Sequence, residues 1–511
     1  MSVGVLAAVG LGLRVAVADQ SLFADELSTY WIVSSNGLGG VVATVHGDAE
    51  ITPPLYFVLA WLTTRIDLTP ELLRAPSLVA GVAAIPLTYL LGLRTVGRWP
   101  GLVGAALVTL SPFMIYYSAE ARGYALAIAL VLLSTLALLA AVRVRRLRWW
   151  VAYAACSCVA VLTHYTSGFA LAAQLGWLLF AHPEARRPAL LANAAAALAF
   201  LPWLSGLIND FNSPTTSIVN ALDVLNLHTA RVTLEHWVVG YPYAYPNTSL
   251  GLIPGPAALV LLALGVAVAV CGTLLGASRR GLRGWLAGAD RGLILVVALA
   301  LSGPVGVVVA SAVGTNVVSI RHLGASWPAF ALTLATLLLA AGPRLRFAAL
   351  ALVVASFAIG AARMLEPRFA RPDYRAAAAF VDRDAAPGDT VMDVTNLSPG
   401  PITAMDAAFD RSRRLFYVGR FRIRLDPFKI LALPQPTARV TRRAAAAARG
   451  GRVFIVASET VGARSAPTRV VSTQEVIRAL PAGYRRTKLR TYPGILRVAV
   501  LVYAPASSPR G

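Results

Sequence analysis

Charged residues are scarce in this sequence of 511 residues, and lysine is almost absent. Only 14% of the residues are charged, Lys429 and Lys488 are the only lysines, and 57% of the residues are hydrophobic. Several apolar stretches reach the roughly 18 to 20 residues that cross a bilayer as a helix. The composition therefore predicts an α-helical polytopic membrane protein.

Disulfides, a nucleotide-binding fingerprint and a cleavable leader are not expected either. Cys156, Cys158 and Cys271 all fall inside apolar runs, where small-residue packing is the ordinary role of cysteine. No G-x-G-x-x-G motif opens a helix of the carboxy-terminal region, so we assign it no nucleotide cofactor. The first residues lack a basic region and a cleavage site, which predicts that 2–18 is a retained span.

About eleven apolar runs are predicted to cross the membrane as helices that satisfy their own backbone hydrogen bonds. They lie at about 2–18, 75–93, 101–118, 123–142, 150–165, 166–181, 188–204, 256–276, 292–313, 323–341 and 345–363. The apolar piece 53–65 is too short to span and predicts an interfacial or re-entrant helix. The segment 27–47, with glycines in its middle, predicts a broken helix along the outer surface.

The distribution of arginine predicts which loops lie on which side. With a cytoplasmic amino terminus, the Arg-dense short loops all lie inside, at 94–100, 143–150, 182–188, 278–291 and 343–346. The positive-inside rule favours this orientation, which places the long loops 19–74 and 205–255 on the outer face. The net charge of +22 is spread over short loops and a tail, so no nucleic-acid partner is expected.

A change of pattern after the last apolar run predicts two domains, a transmembrane domain over 1–363 and an extracytoplasmic α/β domain over 364–511. Predicted helices and strands alternate there, at 373–386, 389–394, 414–419, 438–450, 452–459, 472–480 and 496–504. The domain has 25 basic and 11 acidic side chains. Such a domain could bind anionic lipids or an anionic envelope polymer, while plain solubility charge is the alternative.

Ionisable residues at the outer ends of the spans are the strongest functional signal, because charge near lipid is costly. The predicted outer face carries Asp25, Glu26, Arg74, Glu120, Arg122, His164, Arg321 and His322. Guanidinium groups hold phosphate through charge-assisted bonds, and a carboxylate accepts a proton from a hydroxyl. The mixture predicts chemistry on an anionic lipid-linked substrate. The alternative is that each arginine only neutralises a nearby acid, as Arg122 would for Glu120.

The order of these motifs resembles the bacterial branch of the C-type glycosyltransferases related to protein O-mannosyltransferases and the lipid A aminoarabinose transferase. The resemblance rests on five features, namely the acid pair 25–26, PPLY at 53–56, P-x-x-x-Y-Y-S-x-E-A-R-G-Y at 112–124, Arg-His at 321–322 and D-Y-R-A-A-A-x-F at 373–380. It implies the C-type glycosyltransferase fold and a bacterial plasma-membrane location. It also implies a hexosyl- or pentosyltransferase that takes a sugar from a polyprenyl-phosphate carrier at the outer face, with inversion, for a cell-envelope glycan, lipid or protein.

The resemblance also implies roles for individual residues. Asp25 is the expected base or orienting group for the acceptor hydroxyl. Glu26 beside it is the second candidate catalytic residue, and it is either structural or acts with Asp25 on the acceptor or a metal. Glu120, Arg122 and Tyr124 are expected near the donor or acceptor, and Arg321 is expected to hold the carrier phosphate. Apart from the resemblance, His164 and His322 are candidate substrate-binding residues because they lie at the predicted outer ends of spans. Some distant members use a divalent metal such as Mg²⁺ or Mn²⁺ at the first-loop acid, so Asp25 is also a candidate metal ligand, and no cofactor is certain.

Two other classes of protein fit the composition. A lipid-linked sugar flippase or transporter would have ionisable groups near the span centres and internal repeats. Here the middles of the predicted spans carry no charged residue, and no repeat occurs at half length. A non-catalytic envelope scaffold built around the basic domain is the second alternative. The acids in the first outer loop argue against it.

Overall fold

The computed structural model describes ten stretches of the chain. They are 2–222, 224–242, 249–280, 290–394, 404–408, 415–417, 422–426, 429–433, 437–458 and 473–506. The chain forms two compact units, one from 1–18 and 38–364 and the other from 19–37 and 365–511. The segment 19–37, assigned on sequence to an outer loop of the transmembrane domain, is thus part of the second unit. Parts of the predicted loops 205–255 and 278–291 lie outside the described residues.

The described residues of the first unit are helices and their connections. The α-helices are Val3–Ala18, Leu38–Thr44, Leu55–Thr63, Pro70–Thr95, Arg98–Leu110, Pro112–Ser118, Tyr124–Val144, Leu147–Thr163, Ser167–Ala181, Arg186–Phe200, Leu204–Asn212, Pro214–Leu222, Leu227–Val239, Pro256–Arg280, Arg291–Ala312, Trp327–Ala340 and Leu345–Met364. Short 3₁₀ turns lie at Pro183–Ala185, Leu201–Trp203 and Ile320–Ser326, and a π-helical turn lies at Val45–Ala49. All eleven predicted spans therefore contain helix.

Their lengths and composition define a multi-pass membrane protein, as predicted. Seven helical segments are long and apolar enough to cross a membrane, and the pair Arg98–Leu110 and Pro112–Ser118, bent by 61°, makes an eighth. Three other predicted spans, Val3–Ala18, Leu147–Thr163 and Ser167–Ala181, are shorter apolar helices. A count of eleven spans stays a prediction.

The two short apolar segments form short helices. The piece 53–65 contains the nine-residue helix Leu55–Thr63. The segment 27–47 is broken between residues 34 and 38, where the chain passes from the second unit to the first. Its two halves are the helices Glu26–Ser34 and Leu38–Thr44.

Small and polar residues bring the helices of the first unit together. A Cβ placed on Gly92 would lie 2.4 Å from the Cα of Gly101, so the two helices approach at a distance that only glycine permits. Elsewhere Gln174 Nε2 donates to Thr135 Oγ1 at 2.9 Å, and Ser134 Oγ donates to Gln174 Oε1 at 3.1 Å. Such contacts replace the hydrophobic driving force that lipid does not supply.

The break between Arg98–Leu110 and Pro112–Ser118 is filled by Arg14, a fully buried residue of the first helix. Pro112 has no N–H to donate to the carbonyl of Val108, and Arg14 Nη2 donates to that oxygen at 3.1 Å instead. Its Nη1 donates to the carbonyl of Thr109 at 3.4 Å. Carbonyls at a helix end carry partial negative charge, so the cation is well placed. The sequence analysis did not single out Arg14, which lies toward the end of the first helix.

The second unit is an α/β structure, which confirms the predicted fold class of the carboxy-terminal region. Its strands are β1 (Thr390–Val394), β2 (Leu415–Tyr417), β3 (Arg422–Asp426), β4 (Lys429–Leu433), β5 (Val453–Ser458), β6 (Tyr484–Tyr492) and β7 (Val498–Pro505). Its helices are Glu26–Ser34, Tyr374–Asp384, Ala404–Ala408, Thr437–Ala447 and Thr473–Arg478, and a 3₁₀ turn lies at Pro367–Phe369.

The main sheet has five strands in the order β2-β1-β5-β7-β6. Strands β2, β1 and β5 are parallel, with Val391 opposite Leu415 and Phe454, whereas β7 is antiparallel to both of its neighbours. A separate antiparallel hairpin is formed by β3 and β4. All residues of β1 and β5 are buried, as expected for strands that are covered on both faces.

The sequence analysis did not predict strand β6. Its residues from Arg485 to Thr491 are exposed, so the strand has none of the apolar alternation that marks a half-buried strand. It lies at the edge of the sheet, where positive charges prevent further strand pairing.

We predict that Arg14→Met lowers the free energy of unfolding by about 1–3 kcal/mol, because buried carbonyls at the helix break lose their donors. The thermal unfolding midpoint of the detergent-solubilised protein, followed by tryptophan fluorescence, should fall. The matched control is Arg98→Met, which removes an exposed arginine at the start of the helix Arg98–Leu110. Equal midpoints for the two variants would contradict the assignment.

Candidate functional site

The turn that follows Pro112–Ser118 places Arg122 against Glu50. Arg122 Nη1 and Nη2 donate to the two carboxylate oxygens of Glu50 at 2.7 and 2.8 Å, and both side chains are buried. The guanidinium also lies 5.6 Å from the ring centroid of Phe57. A bidentate pair of this kind fixes the guanidinium plane. Arg122 is therefore held by an acid 72 positions earlier in the sequence, and Glu120 contacts it through the backbone, where its carbonyl accepts from Arg122 N–H at 2.7 Å.

The backbone of this turn is fixed by the neighbouring helices. The carbonyl of Arg122 accepts from Ser77 Oγ at 2.9 Å, and Ser77 Oγ also donates to Tyr56 OH at 3.1 Å. A Cβ on Gly123 would lie 2.9 Å from the carbonyl oxygen of Thr163. The glycine in E-A-R-G-Y therefore permits close contact between the turn and the end of the helix Leu147–Thr163.

Three predicted site residues form a continuous row of rings in the first unit. The ring centroids of Tyr124 and His164 are 5.3 Å apart, and the ring centroids of His164 and His322 are 5.6 Å apart. His322 Nδ1 lies 2.8 Å from the carbonyl oxygen of Val317, so Nδ1 carries the proton. His164 Nδ1 lies 2.7 Å from Thr166 Oγ1 and 3.4 Å from the Thr166 nitrogen. With Nδ1 accepting from that N–H, a neutral His164 carries its proton on Nε2.

The surroundings of His164 show that the predicted cations converge. Burial lowers the pKa of His164 well below its ordinary value of 6.5, and the nearby His322, Arg122 and Arg321 lower it further. Protonation would add a positive charge where water is excluded and other cations are near. His164 is thus neutral at pH 7, and its Nε2–H is a hydrogen-bond donor.

The second predicted outer loop is anchored next to His164. Tyr165 OH donates to Asp210 Oδ2 at 2.5 Å and accepts from Trp203 Nε1 at 3.0 Å. His46 Nε2 lies 3.0 Å from Ser205 Oγ, and its ring meets the Trp203 ring edge-on at 5.6 Å. The helices after residue 200 therefore contact both the THY turn and the first outer loop.

Asp25 and Glu26 belong to the second unit. Asp25 is half-buried and precedes the helix Glu26–Ser34, whereas Glu26 is fully buried. Glu26 Oε2 accepts from the Phe23 N–H at 3.2 Å and lies 3.5 Å from Arg371 Nε. The two adjacent acids therefore have different surroundings.

The sequence-predicted residues fall into two sets. The first unit contains Glu120, Arg122, Tyr124, His164, Arg321 and His322, and the second unit contains Asp25 and Glu26. Sequence reasoning missed Glu50 as the partner of Arg122, and it missed Arg371 as the partner of Glu26. Neither pair has a spacing that a sequence pattern would reveal, because the partners come from distant segments. The only sequence signal was the acid content of HGDAEI at 46–51.

Among the ten described stretches, no group of three or more His, Cys, Asp and Glu side chains is arranged to hold a metal ion. A divalent metal at Asp25 stays a prediction.

The architecture is that of a multi-pass membrane protein, and comparisons with known proteins agree with this class. Residues 52–205 match the model of the dolichyl-phosphate-mannose-protein mannosyltransferase family. That stretch includes Glu120, Arg122, Tyr124 and His164. The match confirms the resemblance to the C-type glycosyltransferases in this part of the chain. A comparison with curated proteins found no match.

Some solved structures align with most of the chain at low sequence identity. ArnT from Cupriavidus metallidurans in the apo state is 12% identical over 98% of this chain and 97% of that chain, with a TM-score of 0.41. Its structure bound to undecaprenyl phosphate has the same identity and coverage, with a TM-score of 0.39. The Archaeoglobus fulgidus oligosaccharyltransferase in complex with Zn and sulfate is 14% identical over 89% of this chain and 67% of that chain, with a TM-score of 0.46.

The lowered pKa of His164 predicts that acidification destabilises the protein. Below about pH 6.5 the unfolded chain takes up a proton at this residue while the folded protein does not, so the free energy of unfolding falls as the pH drops toward the folded pKa. One such group contributes at most about 1.4 kcal/mol per pH unit. Thermal midpoints at pH 7.5, 6.5 and 5.5 should fall less steeply for His164→Asn than for the wild type.

The matched control is His228→Asn, which changes an exposed histidine of the first unit and should leave the slope unchanged. Burial also lowers the pKa of His236, so the His164→Asn variant keeps part of the dependence. A slope identical to that of the wild type in His164→Asn would refute the prediction.

Proposed function

We propose that the protein is a membrane glycosyltransferase that moves a sugar from a polyprenyl-phosphate carrier to a cell-envelope glycan, lipid or protein. The observation that carries this proposal is the nearness of Arg122, Arg321 and His322 to the buried His164 ring of a multi-pass membrane protein. The family match over 52–205, which covers part of that cluster, supports the reaction class.

The charge balance of the reaction explains why cations are needed. The donor is a phosphodiester with one negative charge, and breaking its bond to the sugar leaves a phosphate monoester that gains a second charge. Donors and cations that are already held in place stabilise this developing charge without reorganisation. In the proposal, Arg321 and Arg122 face the phosphate, and the neutral His164 donates a hydrogen bond from Nε2.

The proposed step is a single displacement. The acceptor oxygen attacks C1 of the sugar, the bond between C1 and the phosphate oxygen breaks, and the bonding pair leaves with the phosphate. The anomeric centre is inverted because attack and departure occur on opposite faces. We assign the proton of the acceptor hydroxyl to Asp25, whose partial exposure leaves it accessible in the second unit.

Two geometric features support different roles for the two site arginines. Arg122 directs two N–H groups at Glu50 in a bidentate pair, which fixes its position. Arg321 lies in the 3₁₀ turn Ile320–Ser326 and is only half-buried. We propose that Arg321 makes the main contact with the carrier phosphate and that Arg122 shapes the positive field around it.

We predict that Asp25→Asn abolishes transfer and that Arg321→Gln lowers kcat/KM for the donor about 10- to 100-fold, because each removes a group that acts in the transition state. The assay uses purified protein, a cell-envelope extract as acceptor, and radiolabelled polyprenyl phosphates of mannose, arabinose, glucose or galactosamine. Transfer by the wild type from at least one carrier is expected.

The control is Arg187→Gln, which removes an exposed arginine of the helix Arg186–Phe200. Absence of transfer from every carrier, or full activity in Asp25→Asn, would sink the proposed function. Movement of the labelled lipid across a vesicle bilayer without transfer would favour the flippase alternative.

Action at the outer face predicts the accessibility of three exposed positions. Single cysteines at Ile66 and Val313 should react with a membrane-impermeant maleimide in intact cells, and one at Leu147 should react only after permeabilisation. The background carries alanine in place of Cys156, Cys158 and Cys271, which are free in the structure. The reverse labelling pattern would overturn the orientation and the proposed outer-face reaction.

A further inference from the structure

The segment that carries Asp25 is hydrogen-bonded to the first residues of the carboxy-terminal region. The N–H of Arg371 donates to Gln20 Oε1 at 2.9 Å, and the N–H of Arg375 donates to Ser21 Oγ at 3.0 Å. The Arg375 guanidinium donates from Nη1 to the carbonyl and the carboxylate of Asp19, at 2.9 and 2.8 Å. Residues 19–21 thus pack against 371–375 within the second unit.

The motif D-Y-R in this stretch accounts for the arrangement. Asp373 Oδ1 accepts from the Ala376 N–H at 3.0 Å and caps the helix Tyr374–Asp384. Tyr374 is fully buried, and Arg375 points to the segment 19–21. The cap fixes where the helix begins, so the two arginines that flank it are also fixed.

The pair formed by Glu26 and Arg371 is the buried part of this contact. Both side chains are completely buried, and Glu26 Oε2 lies 3.5 Å from Arg371 Nε. Both charges are buried, and a buried charge is costly unless an opposite charge lies beside it. A carboxylate with this much burial is not accessible to a sugar acceptor.

The same carboxylate closes the turn that holds Asp25. Glu26 Oε2 accepts from the Phe23 N–H at 3.2 Å, and the intervening Ala24 has φ of 51°, a left-handed conformation that is unfavourable for alanine. Such a conformation persists only where surrounding contacts impose it. The hydrogen bond from Phe23 and the contact with Arg371 are contacts of that kind.

We propose that Glu26 and Arg371 are positioning residues for Asp25 and that the carboxy-terminal domain thereby sets the geometry of the proton-accepting carboxylate. This inference rests on the proposed function, which assigns the base to Asp25. It gives Glu26 a role distinct from the catalytic one that the family resemblance implied. Loss of either partner disturbs the turn and turns the Asp25 carboxylate away from its productive orientation, while the carrier-binding residues of the first unit are untouched.

The test measures steady-state transfer by full-length Glu26→Gln, Arg371→Gln and the double variant. We expect each single variant to lower kcat about 10- to 100-fold, the cost of a misplaced reacting group, with the donor KM changed less than about twofold. The double variant should be no slower than the slower single variant, because removing both partners leaves no uncompensated charge. Arg371→Lys, which keeps a cation there, should recover part of the lost rate.

The matched control is Arg368→Gln in the same stretch. Arg368 pairs with Glu366 at 2.7 Å, but this pair is exposed, so the variant should keep wild-type kcat and KM. Thermal midpoints of all variants are measured in parallel, and rates are taken below the lowest midpoint, which separates misplacement from unfolding.

Two outcomes would overturn the inference while leaving the proposed function intact. One is wild-type kcat in Arg371→Gln. The other combines two results: Glu26→Gln has a kcat as low as that of Asp25→Asn, and the double variant has no higher kcat. Together they would make Glu26 a reacting group. Failure of the proposed function looks different, because the wild type itself would then transfer no sugar.

Discussion

A guanidinium group that is buried away from water needs hydrogen-bond acceptors from the protein, and this requirement fixes the contacts between several distant segments of this chain. Arg14 receives backbone carbonyls at a helix break, Arg122 receives a carboxylate from the predicted first outer loop, and Arg371 receives a carboxylate from the segment after the first helix. In each case the acceptor comes from a distant part of the sequence. Because an uncompensated buried charge is costly, each arginine connects two segments that the hydrophobic effect alone would leave independent.

The same requirement bears on the chemistry that we propose. A site that stabilises a developing phosphate charge needs cations that are already desolvated and oriented before the substrate binds. Arg122 meets this condition through its bidentate contact with Glu50. His164 adds a donor that does not titrate near neutral pH, since its burial among cations keeps the ring uncharged. The arrangement joins an oriented guanidinium, whose charge Glu50 largely offsets, with a neutral donor, so neither group depends on protonating a histidine.

Much of the architecture was predictable because lipid imposes a simple rule on sequence. Backbone groups in the membrane must bond within one helix, so long apolar runs identify the helices, and the alternating pattern after residue 372 identified the α/β unit. Strand β6 was missed because an exposed basic edge strand has no apolar periodicity. The partners of Arg122 and Arg371 were missed for another reason. Ion pairs between segments far apart in sequence depend on the completed fold and leave no local pattern.

The adjacent acids that follow the first helix show how fold determines role. Asp25 and Glu26 are chemically similar and differ by one position, yet one is half-buried and the other is enclosed beside a buried arginine. The Glu26 carboxylate accepts the Phe23 N–H and lies beside the Arg371 guanidinium, so it is enclosed by the protein. Asp25 is the more exposed of the two, which is why the proposed function assigns the substrate contact to it. The composition of the pair could not distinguish them, whereas their surroundings do.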